Sequence, residues 1–260
     1  MGAKRTYRTQ VPRDHLVSFR TVVMETDLMI RADSDLAAAC RDLVLRCRGY
    51  IENYIADHGE FATTLAPWPI SGPLPAIIKE MVIAGNHAGV GPMAAVAGAV
   101  AEHVGRGLLV QSREVVVENG GDLFIKLEKP ATVGIYAGKS PLSMKVGVKV
   151  DSTAKPVAVC TSSGTLGHSL SFGKADAVTV ISDSCCLADA AATSICNCID
   201  SPAAVADAIE YGRSIKHVRG LIVIYGKTMG VWGEVDIERL GKKRLSFSSE
   251  KRRIARLGTD

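Results

Sequence analysis

The sequence predicts an α+β fold in which an antiparallel or mixed sheet packs against helices, and its length permits one large domain or two small ones. Helical text, strand-like text and helical text again follow one another in blocks, without the regular alternation of a parallel sheet. No internal repeat of fixed period is visible. A composition of 47% hydrophobic and 22% charged residues over 260 positions is that of a globular chain able to bury a sizeable core. With 25 glycines against 5% aromatics, close backbone packing and many tight turns are expected.

The elements follow in order. "LVSFRTVVMETDLMIRA" holds two β-rich runs around "ETD" and predicts an opening hairpin. In "DSDLAAACRDLVLRCRGYIENYIADHG", Leu36, Cys40, Leu43, Cys47, Ile51 and Tyr54 recur at helical spacing. Asp33 or Ser34 can cap that helix and Gly59 can stop it. Pro67, Pro69, Pro73 and Pro75 make the next stretch an irregular connection. From Ala76 to Val104 the text is helical and apolar nearly all round, interrupted by "HAGVGP", and Pro92 suits the first turn of the second helix. The period then changes: "EVVVE", "LFIKLE", "VGIYAG", "VGVKV", "PVAVC" and "AVTVIS" are strand candidates between Gly, Pro, Asp or Ser turns. Helix returns with "SCCLADAAATSICNCI", Ser201-Pro202 opens another, and "GLIVIYG" is the last clear strand. A short N-terminal extension and a basic tail from about residue 239 flank the domain.

Four segments carry candidate chemistry. On a helix, Asp189, Thr193, Cys196 and Asp200 fall on one stripe, so a carboxylate and a hydroxyl point the same way one turn apart. Two hard oxygens at that spacing can hold part of a Mg²⁺ shell. They are also what an acid near a helix N-terminus and a back-bonded threonine would look like, and spacing alone favours this second reading. In "VENGGDLFI", Asn119, Gly120, Gly121 and Asp122 form hairpin-turn chemistry, and the Gly-Gly pair lets a ligand approach the backbone. In "VCTSSGTLGHSLSFGKAD", a strand delivers Thr161, Ser162, Ser163 and Gly164 into a polar loop containing His168. N–H groups and hydroxyls there can bind phosphate oxygens, though neither a Walker A ending nor a nucleophile elbow is present. "GNHAGVGPMAAVAG" could form an anion site at a helix N-terminus, but close helix packing explains its glycines better.

Other classes are disfavoured. The basic stretch "GKKRLSFSSEKRRIARLG" lacks an aromatic ladder and is expected to be solvated rather than bound to nucleic acid. No apolar run of transmembrane length and no secretory h-region appear, so a cytoplasmic protein without membrane association is expected. "MGAKRT" fits a myristoylation pattern that chance often meets. Seven cysteines suit reduced thiols. Cys185, Cys186, Cys196 and Cys198 share one helix that would set Cys185 and Cys196 roughly 16 Å apart, too far for one zinc site, and are expected to pack.

In this order, "ENGGD", "CTSSG", a histidine, "AVTVIS" and "ADAAATS" resemble the ApbE family of flavin transferases. The phrases "AGVGPMAAVAGAVAE", "VENGGDLFI" and "TSSGTLGHSLSFGKADAV" resemble more closely an uncharacterised bacterial and archaeal family related to ApbE, over most of residues 7 to 225. The resemblance implies one ApbE-like (T-fold-related) domain using Mg²⁺ and FAD, with an acceptor protein that receives FMN on a hydroxyl. It carries metal binding onto Asp189 and Thr193. Nucleotide contacts fall on Thr161 to Gly164 and on Asn119 to Asp122, and His168 becomes the candidate base. The family's His-x-x-Asp-Pro-x-Thr-Gly stretch is contracted to "GHSLSFGKAD", and its Lys-Gly helix segment falls on Ala97 and Gly98. Those departures keep two alternatives open: a non-catalytic flavin- or nucleotide-binding protein, and a pyrophosphatase splitting FAD with water. The oligomeric state stays open, a homo-oligomer included.

Overall fold

The computed structural model describes residues 15–165 and 173–240 together with a strand at 253–256. The opening hairpin forms as expected: β1 (Val17–Val23) pairs antiparallel with β2 (Thr26–Ala32), and Arg20 closes onto Asp27 at 2.7 Å. Helix α1 (Ala37–Asp57) follows, its first free N–H, Ala37, taken by the Asp35 carboxylate at 2.9 Å. Asp33, one of the two expected caps, instead accepts from the Arg113 N–H at 2.7 Å, tying the start of α1 to the chain ahead of β3. The proline-rich connection leads to α2 (Ala76–Ala88), which ends on Gly89 at φ 70°, a left-handed cap. Pro92 opens a 3-10 turn over 92–95 that runs into α3 (Val96–Leu108).

Strands β3 (Val115–Asn119), β4 (Asp122–Lys126), β5 (Ala131–Gly134), β6 (Val146–Val150), β7 (Val157–Ser162) and β8 (Ala177–Ser182) come next. Helix α4 (Cys185–Asn197) starts at the Ser184 cap, and α5 (Val205–Ser214) follows the Ser201-Pro202 turn. Beyond the expected last strand, β9 (Val218–Tyr225), the chain adds β10 (Thr228–Gly233) and β11 (Asp236–Arg239). Residues 253–256, inside the stretch expected to be a solvated tail, pair with β10 as β12.

Among the described residues, the main sheet has nine strands in the order β1-β2-β3-β4-β7-β8-β9-β10-β12, and β11-β6-β5 form a second sheet, with every pair antiparallel. Helices cover one face of the main sheet. Val115, Val117, Phe124, Ala158, Cys160, Val178, Val180, Leu221 and Val223 point to that side. The alternate residues Val116, Ile125, Val157, Val159, Ile181, Ile222 and Ile224 form a second core with Val133, Val146 and Val148 of the small sheet. Burial on both faces is why these antiparallel strands read as nearly continuous apolar runs.

Helix α4 lies centrally against β7, β8, α2 and α3. Small residues make that possible. At Gly98 of α3 a Cβ would stand 2.2 Å from the Cys185 carbonyl oxygen, and at Gly105 it would stand 2.2 Å from the Phe124 ring. Gly91 likewise sits against the Thr64 backbone, so Gly85, Gly91 and Gly98 serve packing while Gly89 ends α2. Cys185, Cys186 and Cys196 are buried in the helical core and Cys198 is exposed, all as free thiols. No described helix is long and apolar enough to cross a membrane.

Candidate functional site

Three pieces of chain converge on the Asp189 stripe of α4: the β3–β4 turn, the end of β7 and the N-terminus of α3. The turn is a two-residue hairpin in which Asn119 pairs with Asp122 while Gly120 and Gly121 adopt φ 69° and 126°. Positive φ at both central residues matches the twist of the strands and calls for glycine. A Cβ on Gly121 would lie 3.3 Å from the Thr161 carbonyl oxygen, so the turn rests against the end of β7. The Asn119 amide donates to the Ala97 carbonyl at 3.0 Å and fastens the turn to α3.

Asp189 reaches the same place from α4. Its Oδ2 accepts the Gly98 N–H at 2.8 Å, and the Ala97 N–H bonds it as well. The carboxylate therefore caps another helix, a third arrangement beside the two weighed from spacing. Thr193 stands one turn along the same stripe, half-buried. Asp200, assigned to that stripe in the sequence, lies past the end of α4. Asp122 sits opposite Cys160 on the helix-facing side of the sheet and is buried, 8% exposed.

These acids face each other in a poorly solvated place. Burial pushes the Asp189 carboxyl up to about 7, against the lowering pull of the Gly98 and Ala97 N–H groups. Asp122 is raised well above the usual carboxylate range, first by burial and then by the neighbouring Asp189, with Glu118 adding to it. Cys160 and the Thr161 N–H oppose that rise by bonding the ionised form. Two facing carboxyls whose burial resists ionisation retain protons when alone, and a divalent cation favours their ionised forms instead. The donor set, carboxylates with a nearby hydroxyl, is of the hard-oxygen kind that suits Mg²⁺.

The 161–164 segment is only partly aimed at this pair. Thr161 exchanges a 2.9 Å hydrogen bond with Thr179, whose side chain lies on the opposite face of the sheet, so only the Thr161 backbone touches the site. By strand alternation Ser162 shares the face of Cys160 and Asp122. Ser163 accepts the Thr165 N–H at 3.2 Å in a local turn. Gly164 packs against Gly173, and Gly173 against the Cys196 carbonyl, so the returning chain runs along the C-terminal half of α4. His168 lies outside the described residues.

Sequence reasoning missed Glu102. It is 1% exposed, and its Oε2 accepts from Cys185 N at 2.8 Å, Ser184 Oγ at 3.1 Å and Cys186 N at 3.3 Å, capping α4 from α3. Arg106 holds the other oxygen at 2.5 Å. The available signal was an acid inside an apolar helix with an arginine four residues on. Donor atoms of Glu80, Glu102 and Cys186 lie within 4.8 Å of one another, as metal ligands would. Arg106 also reaches Glu80 at 3.4 Å and His103 meets it at 2.9 Å, so the acids of this cluster already have side-chain partners. A separate cavity of about 290 Å³ lined by Leu43, Tyr50, Pro75, Ile77 and His103 contains none of the acid-pair residues.

A family model described as AbpE bacteria matches residues 8–213. A UPF0280 protein of Methanococcus aeolicus is 41% identical over 82% of this chain and 88% of its own length. A UPF0280 protein of Methanocaldococcus jannaschii is 37% identical over 83% of this chain and 90% of its own. Among solved structures, the apo flavinyl transferase ApbE of Pseudomonas stutzeri superposes with TM-score 0.54 at 15% identity, covering 83% of this chain and 93% of that one. The flavin transferase ApbE from Vibrio cholerae gives 0.51 at 12% identity, covering 84% and 96%. These two likenesses concern the fold. The chain belongs to the AbpE bacteria family and has the ApbE-like fold.

Proposed function

We propose that this member of the AbpE bacteria family binds FAD or a related nucleotide with Mg²⁺ and transfers the FMN half to a hydroxyl of an acceptor protein. One observation carries the reading: Asp189, held on the first N–H groups of α3, faces Asp122 at the start of β4. Asp189 and Thr193 hold the metal and Asp122 stands beside it. When bound, Mg²⁺ supplies charge neutralisation for a pyrophosphate. The hairpin turn, fixed through Asn119 to Ala97, and the backbone at the end of β7 define the walls against which the nucleotide lies. Ser162 and the Gly120-Gly121 backbone supply hydrogen-bonding groups there, with Gly120 open to close approach. His168 takes the proton of the attacking hydroxyl.

The contracted "GHSLSFGKAD" loop favours a second reading, FAD pyrophosphatase activity with water as the acceptor. Incubating the flavin-free protein with FAD and Mg²⁺, then chromatographing the mixture, separates the two. AMP release with flavin covalently attached to a co-purified or added protein supports transfer, and AMP with free FMN supports hydrolysis. Asp189→Ala abolishes either outcome; full turnover by that variant removes the metal assignment. His168→Ala leaves binding intact and slows turnover, and unchanged turnover removes it as the base.

A further inference from the structure

We propose that Glu102 is the positioning residue of this site: clamped on the N-terminus of α4, it sets where Asp189 stands against α3. Its functional consequence rests on the reading of Asp189 as a metal-holding group. The arrangement is reciprocal. On α3, Gly98 donates its N–H to Asp189, and Glu102 follows one turn later. On α4, Cys185 donates its N–H to Glu102, and Asp189 follows one turn later. Each helix therefore presents, four residues apart, a free N–H for its neighbour's acid and an acid for its neighbour's N–H.

The contact between Gly98 and the Cys185 carbonyl sits between these two bonds and leaves no room for a Cβ. Two helix N-termini, each carrying roughly half a positive charge, are thus brought together, each with its N–H groups accepted by an acid of the other helix. Without Glu102, the Ser184, Cys185 and Cys186 donors lose their shared acceptor, and the start of α4 is free to rotate away from α3. Asp189, one turn further along, moves with it. Arg106 anchors Glu102 from behind, at 2.5 Å, so the acid cannot swing out to follow. Glu102 is buried on the far side of the Gly98–Cys185 contact and is not among the residues that face Asp122.

The test compares wild type, Glu102→Ala and Glu102→Gln by amide hydrogen exchange, read residue by residue without any ligand. Glu102→Ala is expected to exchange the Gly98 amide about tenfold faster, the effect of losing one hydrogen bond to a charged acceptor. The central amides of β8 and β9 stay as protected as in wild type. Unchanged protection at Gly98 in the folded variant overturns the proposal. Should Glu102→Ala not fold, Glu102→Gln, which keeps one acceptor oxygen for Cys185 N, gives the same decision on a smaller scale.

The second arm titrates Mg²⁺ into each protein with FAD present. Glu102→Ala is expected to weaken Mg²⁺ about tenfold, the usual loss when a group that orients a ligand is removed. A lowered melting temperature with wild-type Mg²⁺ affinity assigns Glu102 a purely structural role and overturns the positioning claim. Absence of Mg²⁺-dependent binding in wild type sinks the metal reading alone, since the exchange arm decides the positioning claim without it.

Discussion

Replacing Asp189 with Asn removes a charge that burial resists while keeping the side chain's shape. The Asp189 carboxyl is held at about 7 in place of 3.8. At roughly 1.36 kcal/mol per decade, ionising it in the folded protein costs up to about 4 kcal/mol relative to the unfolded chain. Because the folded value is the higher one, the native state binds the proton more tightly. Its stabilisation is full below about pH 4 and is lost as pH rises to about 7. Asn cannot ionise and escapes that loss. It has one acceptor oxygen for the Gly98 and Ala97 N–H groups, and an unmade hydrogen bond costs about 1–3 kcal/mol. In metal-free buffer, Asp189→Asn is therefore about 2 kcal/mol more stable than wild type at pH 8 and less stable at pH 4. Urea unfolding across that range, with chelator present, measures the difference. A difference that stays flat with pH refutes the burial argument for Asp189. Added Mg²⁺ is expected to stabilise wild type and not the variant.

Gly98→Ala places a Cβ 2.2 Å from the Cys185 carbonyl oxygen and 2.8 Å from the Asp189 Cβ. Overpacking at rigid backbone costs about 3 kcal/mol, and urea unfolding together with loss of Mg²⁺-dependent FAD binding checks it. Ser194→Ala is the control on the other side of α4. It removes a 2.6 Å bond to the Ala88 carbonyl, which keeps the Tyr211 hydroxyl at 3.0 Å, so stability falls by about 1 kcal/mol and FAD binding is unchanged. Thr193→Ala is expected to weaken Mg²⁺ about tenfold without lowering the melting temperature; equal affinity removes Thr193 from the metal assignment.

Local periodicity made much of this protein legible. Two β-rich runs around "ETD" specified the hairpin, the 3.6-residue rhythm specified α1, and "NGGD" specified a glycine turn. The four-residue spacing of Asp189 and Thr193 put both on one stripe. What escaped depends on partners distant in sequence. That β4 pairs with β7, past β5 and β6, follows from covering both sheet faces, which no segment states by itself. The Thr161 hydroxyl turned away from the acids because strand parity at the end of β7 gives it to Thr179. Glu102 looked like an ordinary helical acid because the N–H groups it serves lie more than 80 residues further on. β10 was missed because Gly230 and Gly233 interrupt its apolar pattern.

The central claim is that Asp189 and its surroundings form a metal-assisted nucleotide site. Titrating flavin-free protein with FAD, with and without Mg²⁺, and following flavin fluorescence tests it most directly. Binding that requires Mg²⁺ and disappears in Asp189→Ala is the predicted result. FAD affinity that is nil, or equal with and without Mg²⁺ and in that variant, would contradict it and leave Asp189 as a helix cap alone.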